Sequence, residues 1–127
     1  MWEEEWASLL VVKKSRFYAH LYRITAEEDI AEVREMHRKK YRKAAHHCYA
    51  ARLEQEHGCL ERFGSDGEVG RPGMVLLQLL QREELAEHMI VVSRIFGGIK
   101  LGSGNVSRAF RDAAAEAIDT ADRTDVI

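Results

Sequence analysis

The stretch from His88 to Ala113, HMIVVSRIFGGIKLGSGNVSRAFRDA, decides how the rest of the chain is read. Met89 to Val92 is an unbroken apolar run closed by Ser93-Arg94, the pattern of a short buried strand. Four glycines follow within eight residues (Gly97, Gly98, Gly102 and Gly104), with Lys100 between the two pairs. Val106, Phe110, Ala113 and Ala117 then recur at helical spacing, so a helix is expected from about Asn105. A strand feeding a glycine loop that opens a helix turns backbone N–H groups toward whatever the loop holds. The helix dipole adds to the attraction for an anion. Arg94, Gly97, Gly98, Lys100, Gly102, Ser103, Gly104 and Arg108 are therefore the candidate anion- or phosphate-binding residues. Glycines between a strand and a helix also serve tight turning alone, and spacing does not separate the two readings.

Two nucleotide motifs are excluded. The lone lysine of the loop lacks the glycine spacing and the following Ser/Thr of a Walker A sequence. No strand with a suitably placed acidic end follows the helix, so there is no dinucleotide fingerprint. No cofactor is expected.

At 127 residues the chain is sized for one domain, residues 1–127, with no linker composition and no internal repeat. An apolar content of 46% and a charged content of 31% are those of a soluble globular protein. A formal net charge of −2 excludes the strongly basic class of nucleic-acid binder, so any such contact must use a local patch. No apolar run approaches a membrane span and the acidic start MWEEEW is no signal peptide, so the expected location is cytoplasmic. Two cysteines, Cys48 and Cys59, fit a reduced protein rather than a disulfide framework.

The remaining elements follow in order. Ala7 to Val12 reads as a first strand. Arg16 to Ile24 reads as a second, with Phe17, Ala19 and Leu21 inward and Tyr18, His20 and Tyr22 outward. Outward aromatics beside cations suit base stacking or, equally, cross-strand packing. Thr25 and Glu28 have the spacing of a capping box, opening a helix with Ile30, Val33, His37 and Ala44 on its apolar face. The other face gathers Arg34, Arg38 and Arg42 at spacing of four, with Lys39, Lys40 and Lys43 beside them. Basic residues also suit a helix C-terminus or a merely solvated face. Their density nonetheless makes Arg34, Arg38, Lys39, Arg42 and Lys43, with Arg71, the candidate nucleic-acid contacts. His46 to Leu53 and Cys59 to Gly64 read as a hairpin turning at Gln55–Gly58, which sets Cys59 opposite about Glu54. That register separates the thiols and, with spacing unlike any zinc module, argues against a metal held by His46, His47, Cys48, His57 and Cys59. Ser65-Asp66-Gly67-Glu68 is a turn whose two carboxylates, with His46, are the only acid–base candidates; Asp-Gly is equally a plain turn signal. Pro72 starts a helix with Met74, Leu77 and Leu80 buried. The last helix is expected to end near Arg123, with Glu116, Asp119 and Asp122 exposed, which confines any anion site to its N-terminal end.

Read together, KSRFYAHL, HHCYAARL, ERFGSDGE, GRPG and VVSRIFGGIKLGSGNVSRAF resemble the IMPACT / YigZ family from Lys14 to about Ala117. Arg94, Phe96-Gly97-Gly98, Lys100-Leu101-Gly102, Gly104 and Arg108-Ala109-Phe110 carry most of the resemblance. His46, Cys48, Ala50, Arg52, Arg62, Asp66, Gly67, Glu68 and Gly70-Arg71-Pro72 also fit. The family usually has a Pro-Ser-Gly-Thr-Ala-like insert after the SDGE turn, where this chain has only Val69 before Gly70. Asn105, Ile95 and Ser107 stand where the family usually has a glycine, an aromatic and an apolar residue.

The resemblance implies an α+β fold, a two-layer sandwich like domain 2 of ribosomal protein S-five. It would have a mainly antiparallel sheet, helices on one face and the order ββαββαβα. It also implies a translation-linked regulatory role, with RNA or the ribosome as partner. An enzyme acting on a phosphorylated small molecule and a protein–protein adaptor in translation control remain the alternatives. Eukaryotic members carry a further N-terminal domain, and control of an eIF-two-alpha kinase activator is not expected of this chain.

Overall fold

The computed structural model describes the backbone of residues 1–126 and the side-chain surroundings of residues 1–121. In chain order the elements are β1 (Trp2–Val12), β2 (Ser15–Ile24), α1 (Glu28–Lys40), β3 (His46–Gln55), β4 (Gly58–Gly64), α2 (Pro72–Arg82), β5 (His88–Ile95) and α3 (Ser103–Val126). The five strands form one antiparallel sheet in the order β1-β2-β5-β3-β4. The α+β class and the order ββαββαβα are as expected. β5 is the central strand, which is why its apolar run is unbroken: both of its faces are covered.

Alternation along the strands divides the core in two. Phe17, Ala19, Leu21, Cys48, Ala50, Ile90 and Val92 pack against α2 and α3. Tyr22, Tyr49, Ala51, Met89 and Val91 face the other way and pack against Ile30 and Val33 of α1. Thus α2 and α3 share one face and α1 lies across the other, which corrects the expected placement of all helices on one face: the second side of the sheet is itself apolar and needs a cover. The expected exposure of His20 and Tyr22 is corrected accordingly: α1 covers them, leaving 4% and 1% accessible.

Several boundaries differ for local reasons. β1 begins at Trp2, five residues before the expected start, and carries a bulge between Glu4 and Trp6. The Thr25–Glu28 capping box does not form. Asp29 instead accepts the Thr25 and Ala26 N–H groups at 2.9 and 3.0 Å, satisfying donors just ahead of the helix. α1 ends at Lys40 with Tyr41 as its C-cap, so Arg42 and Lys43 lie in the following turn and do not continue the Arg34–Arg38 row. In α2 Leu76 and Leu79 are buried beside Leu77 and Leu80, and Met74 is only half-buried. α3 starts two residues before Asn105 and runs past Arg123. Glu116 and Asp119 are exposed as expected, and the Asp122 side chain lies outside the described residues. Among the described residues no helix is long and apolar enough to cross a membrane.

Close approaches explain two glycines. A Cβ on Gly97 would stand 2.1 Å from the Lys14 carbonyl carbon, so the glycine loop lies directly on the β1–β2 turn. A Cβ on Gly70 would stand 2.4 Å from the Ser103 carbonyl oxygen, which seats the turn before α2 on the first turn of α3.

Candidate functional site

The pairings Val12↔Ser15 and His46↔Arg94 mark one end of the sheet. Here the Gly97–Gly102 loop, the Ser65–Gly70 turn, the segment after α1 and the N-termini of α2 and α3 meet. Pairing of His47 through Arg52 carries β3 away from this end, so the opposite end receives Gln55, Ile24 and the start of α1.

The Ser65–Glu68 turn closes with a Glu68 N–H to Ser65 carbonyl bond of 2.8 Å, and Asp66 and Gly67 both have positive φ. Asp66 is used as scaffold: its carboxylate accepts the His47 N–H and its carbonyl accepts His46 Nδ1–H, each at 2.8 Å. The Glu68 carboxylate points inward, 3.1 Å from Arg94 Nη1 and 3.8 Å from His46 Nε2. His46 and Glu68 therefore converge, whereas the Asp66 carboxylate is not directed at an atom they share.

Arg94 is also structural in part. It is 6% exposed, its Nη2 lies 3.4 Å from Ser15 Oγ, and its Nε has no hydrogen-bond partner. Its guanidinium lies 5.5 Å from the Phe17 ring centroid and 5.6 Å from that of Phe96. The Gly97 N–H is bound to Ser15 Oγ at 3.2 Å, which removes it from any anion cradle. At the helix, Gly102 carbonyl accepts the Val106 N–H at 2.9 Å, so the N–H groups of Ser103, Gly104 and Asn105 have no partner within the helix.

A cavity of about 560 Å³ opens between these elements. His46, Arg94, Lys100, Gly102 and Ser103 line it with Ala45, Val69, Phe96, Leu101 and Val106. The structure thus gathers Arg94, Lys100, Gly102 and Ser103 at one place. Arg108 belongs elsewhere: it faces a groove of about 390 Å³ between α2 and α3, beside Arg82 and Arg111. The apolar walls escaped sequence reading because they come from four separate segments. Ser15 and Phe96 lie inside the KSRFYAHL and VVSRIFGGIKLGSGNVSRAF motifs, but nothing local marked their roles.

The basic candidates separate as well. Arg34 lies over the Tyr49 ring at 4.4 Å and Arg38 pairs with Glu35 at 3.4 Å. Lys39, Arg42, Lys43 and Arg71 are exposed, Arg71 with a left-handed backbone at the N-cap of α2. The hairpin register sets Cys59 against Glu54, as its turn length implied, far along the strand from Cys48. Burial pushes the Cys48 thiol well up, and Sγ donates to the Ser65 carbonyl at 3.2 Å.

A second polar cluster lies under α1. Tyr22 OH and His37 Nε2 are 2.6 Å apart, His37 Nδ1 and Ser93 Oγ 3.0 Å, and His47 Nδ1 and Ser93 Oγ 2.8 Å. One proton direction gives each buried donor an acceptor: Tyr22 donates to His37, His37 to Ser93, and Ser93 to His47. His20 donates Nδ1–H to Glu4 and accepts from the Tyr41 hydroxyl. Burial holds His37 down to about 3 and lowers His20 and His47, so all three are neutral imidazoles.

A sequence model of the Impact N-terminal domain matches residues 13–118, from the β1–β2 turn well into α3. The chain belongs to this family. Over 112 residues it is 35% identical to the IMPACT family member YvyE of Bacillus subtilis, covering 87% of this chain and 51% of that one. An IMPACT family member of Thermus thermophilus is 34% identical over 117 residues, 92% of this chain and 62% of its own. The protein IMPACT homolog of Dictyostelium discoideum is 39% identical over 93 residues, 71% of this chain and 27% of its own. The chain thus spans about half the length of the bacterial relatives it matches. Among solved structures, a hypothetical protein superposes with a TM-score of 0.80 at 29% identity, over 90% of this chain and 56% of that one. The two-domain translational regulator Yih1 shares the fold, with a TM-score of 0.55 at 24% identity over 94% and 46% of the two chains. In this Impact-family domain a single residue, Val69, links Glu68 to Gly70 and is 54% exposed at the cavity wall.

Proposed function

We propose that this domain acts in translation control by binding RNA or the ribosome through the cationic end of its sheet. The observation that carries the reading is segregation of charge. Lys13-Lys14, Arg38 to Lys43, Arg71 and Lys100 collect at one end, where the N-termini of α2 and α3 add their partial positive charge. Asp66 and Glu68, which also lie there, are tied to His47 and Arg94. Glu3 to Glu5, Glu27, Glu28, Glu54, Glu56, Glu83 and Glu84 belong to the other end, where Arg23, Arg52 and Arg62 are ion-paired with Glu87, Glu61 and Glu27. A net charge of −2 therefore conceals a dipolar molecule with one face suited to phosphates. The family relationship to the IMPACT proteins and the fold shared with a translational regulator support the same role.

The test is co-sedimentation with ribosomes across a salt series. Binding should weaken with a log–log slope of roughly −0.7 to −0.9 per phosphate contact. A variant with Arg42, Lys43 and Lys100 all changed to alanine should flatten that slope by about two to three contacts. No binding at low salt, or the same slope in the variant, would overturn the proposal.

A further inference from the structure

We propose that the cavity beside Ser103 takes one unstacked nucleotide of a single-stranded RNA, base against Phe96 and phosphate at the start of α3. This rests on the RNA reading above and names what that surface recognises.

The walls of the cavity are chemically divided. Val69, Leu101 and Val106 make it apolar, while His46, Lys100 and Ser103 are its exposed or half-buried polar groups. A volume of about 560 Å³ is in the range of small-ligand sites and accommodates a nucleoside monophosphate. Phe96 is 51% exposed although it borders the cavity, with the Arg94 guanidinium 5.6 Å from its ring centroid. An aromatic ring left open beside cations is the usual platform for a base. The Ser103 N–H at the start of α3, with Lys100 in the same loop, provides for the phosphate.

A further feature points to a ligand rather than a tight turn. Arg94, more than nine-tenths buried, lines the cavity with its Nε unpaired, so this part of the core is not polar-satisfied by the chain alone. His46 stands at the same wall, its Nδ1–H donating to the Asp66 carbonyl at 2.8 Å and its Nε2 3.8 Å from the Glu68 carboxylate. The cavity also opens within the cationic end, so a strand whose phosphates follow Arg42, Lys43 and Lys100 passes its mouth. A duplex keeps its bases stacked and cannot fill it.

The experiment is an NMR titration of the full chain with 5′-AMP, ribose 5-phosphate and inorganic phosphate, followed by single-stranded and duplex RNA oligomers. The expected result is that 5′-AMP shifts the amides of Phe96, Gly102 and Ser103 and binds about tenfold tighter than ribose 5-phosphate. Phe96→Ala should abolish that tenfold preference and leave phosphate binding in place. Because Phe96 is half exposed, the variant is expected to fold, with an unchanged amide spectrum outside the loop. Single-stranded oligomers should shift the same amides and duplex should not. Equal affinity for 5′-AMP and ribose 5-phosphate, a base preference that survives Phe96→Ala, or shifts confined to other surfaces would overturn the inference. Salt-sensitive ribosome binding with equal affinity for the two phosphates would remove the base pocket and leave the RNA reading standing. Loss of both would remove the reading itself.

Discussion

The Tyr22 hydroxyl donates to His37 Nε2 at 2.6 Å in a contact sealed between α1 and the sheet, with 1% of the tyrosine and none of the histidine accessible. Each polar group fixes the other. The tyrosine can bury its hydroxyl only because the imidazole accepts, and the imidazole can accept only while neutral. Burial, with His20, His47 and Lys40 nearby, depresses the folded-state affinity of His37 for a proton to about 3.

Stability should therefore fall on the acid side. A buried neutral histidine binds its proton more readily after unfolding, near pH 6.5, so protons favour the unfolded chain between that value and about 3. From His37 alone the loss at pH 5 relative to pH 7.5 is about 2 kcal/mol. Urea unfolding at the two pH values measures it, and His37→Gln should shrink the difference. Identical midpoints for the parent protein would rule out a neutral buried His37.

Asp29 sets the start of α1. Asp29→Ala removes the acceptor of two backbone N–H groups and should cost about 1 kcal/mol. Glu28→Ala, which touches neither group, should cost a few tenths at most. Chemical denaturation of the two variants separates them. Equal losses would mean that Glu28 caps the helix after all.

The β1–β2 turn is made by Lys13 and Lys14 with φ of 46° and 70°, a conformation that suits Asn-Gly better than two lysines. Changing Lys13 to Asn and Lys14 to Gly should stabilise the protein by roughly 0.5 to 1 kcal/mol. Gly97→Ala should do the reverse, by 2 kcal/mol or more, because the new methyl would meet the Lys14 backbone. A thermal midpoint unmoved by Gly97→Ala would show that loop and turn are not in contact.

Glu68 compensates the one deeply buried guanidinium among the described residues. Glu68→Ala leaves Arg94 without its carboxylate and should destabilise by about 3 kcal/mol. Replacing the pair together, as Glu68→Gln with Arg94→Met, should cost less than the single change. A double-mutant cycle with no coupling would exclude the pair as a structural unit.

The cysteines give a quick check of the fold. Cys59 is exposed and Cys48 buried with its thiol raised by desolvation. One thiol should react promptly with a disulfide reagent in the native protein and two in denaturant. Two fast native thiols would contradict the packing of β3.

The order of strands and helices was legible in the sequence because it depends on local periodicity and turn chemistry. Met89 to Val92 with the following Ser93-Arg94, the glycine run and the recurrence from Val106 to Ala117 place β5, its loop and the start of α3 within two residues. The hairpin register followed from turn length, which sets Cys59 against Glu54. The folding of α1 across the second face was not legible. His20, Tyr22 and His37 are polar enough to read as solvent-facing, and only their mutual hydrogen bonds in three dimensions make burial tolerable. The cavity was hidden for a related reason: Val69, Phe96 and Val106 are ordinary apolar residues until the sheet end brings them around Ser103. Composition likewise averages charge to −2, whereas the antiparallel path sends the lysines to one end and most of the glutamates to the other. Sequence fixes what each segment can become; tertiary structure decides which polar groups share a partner and which charges share a surface.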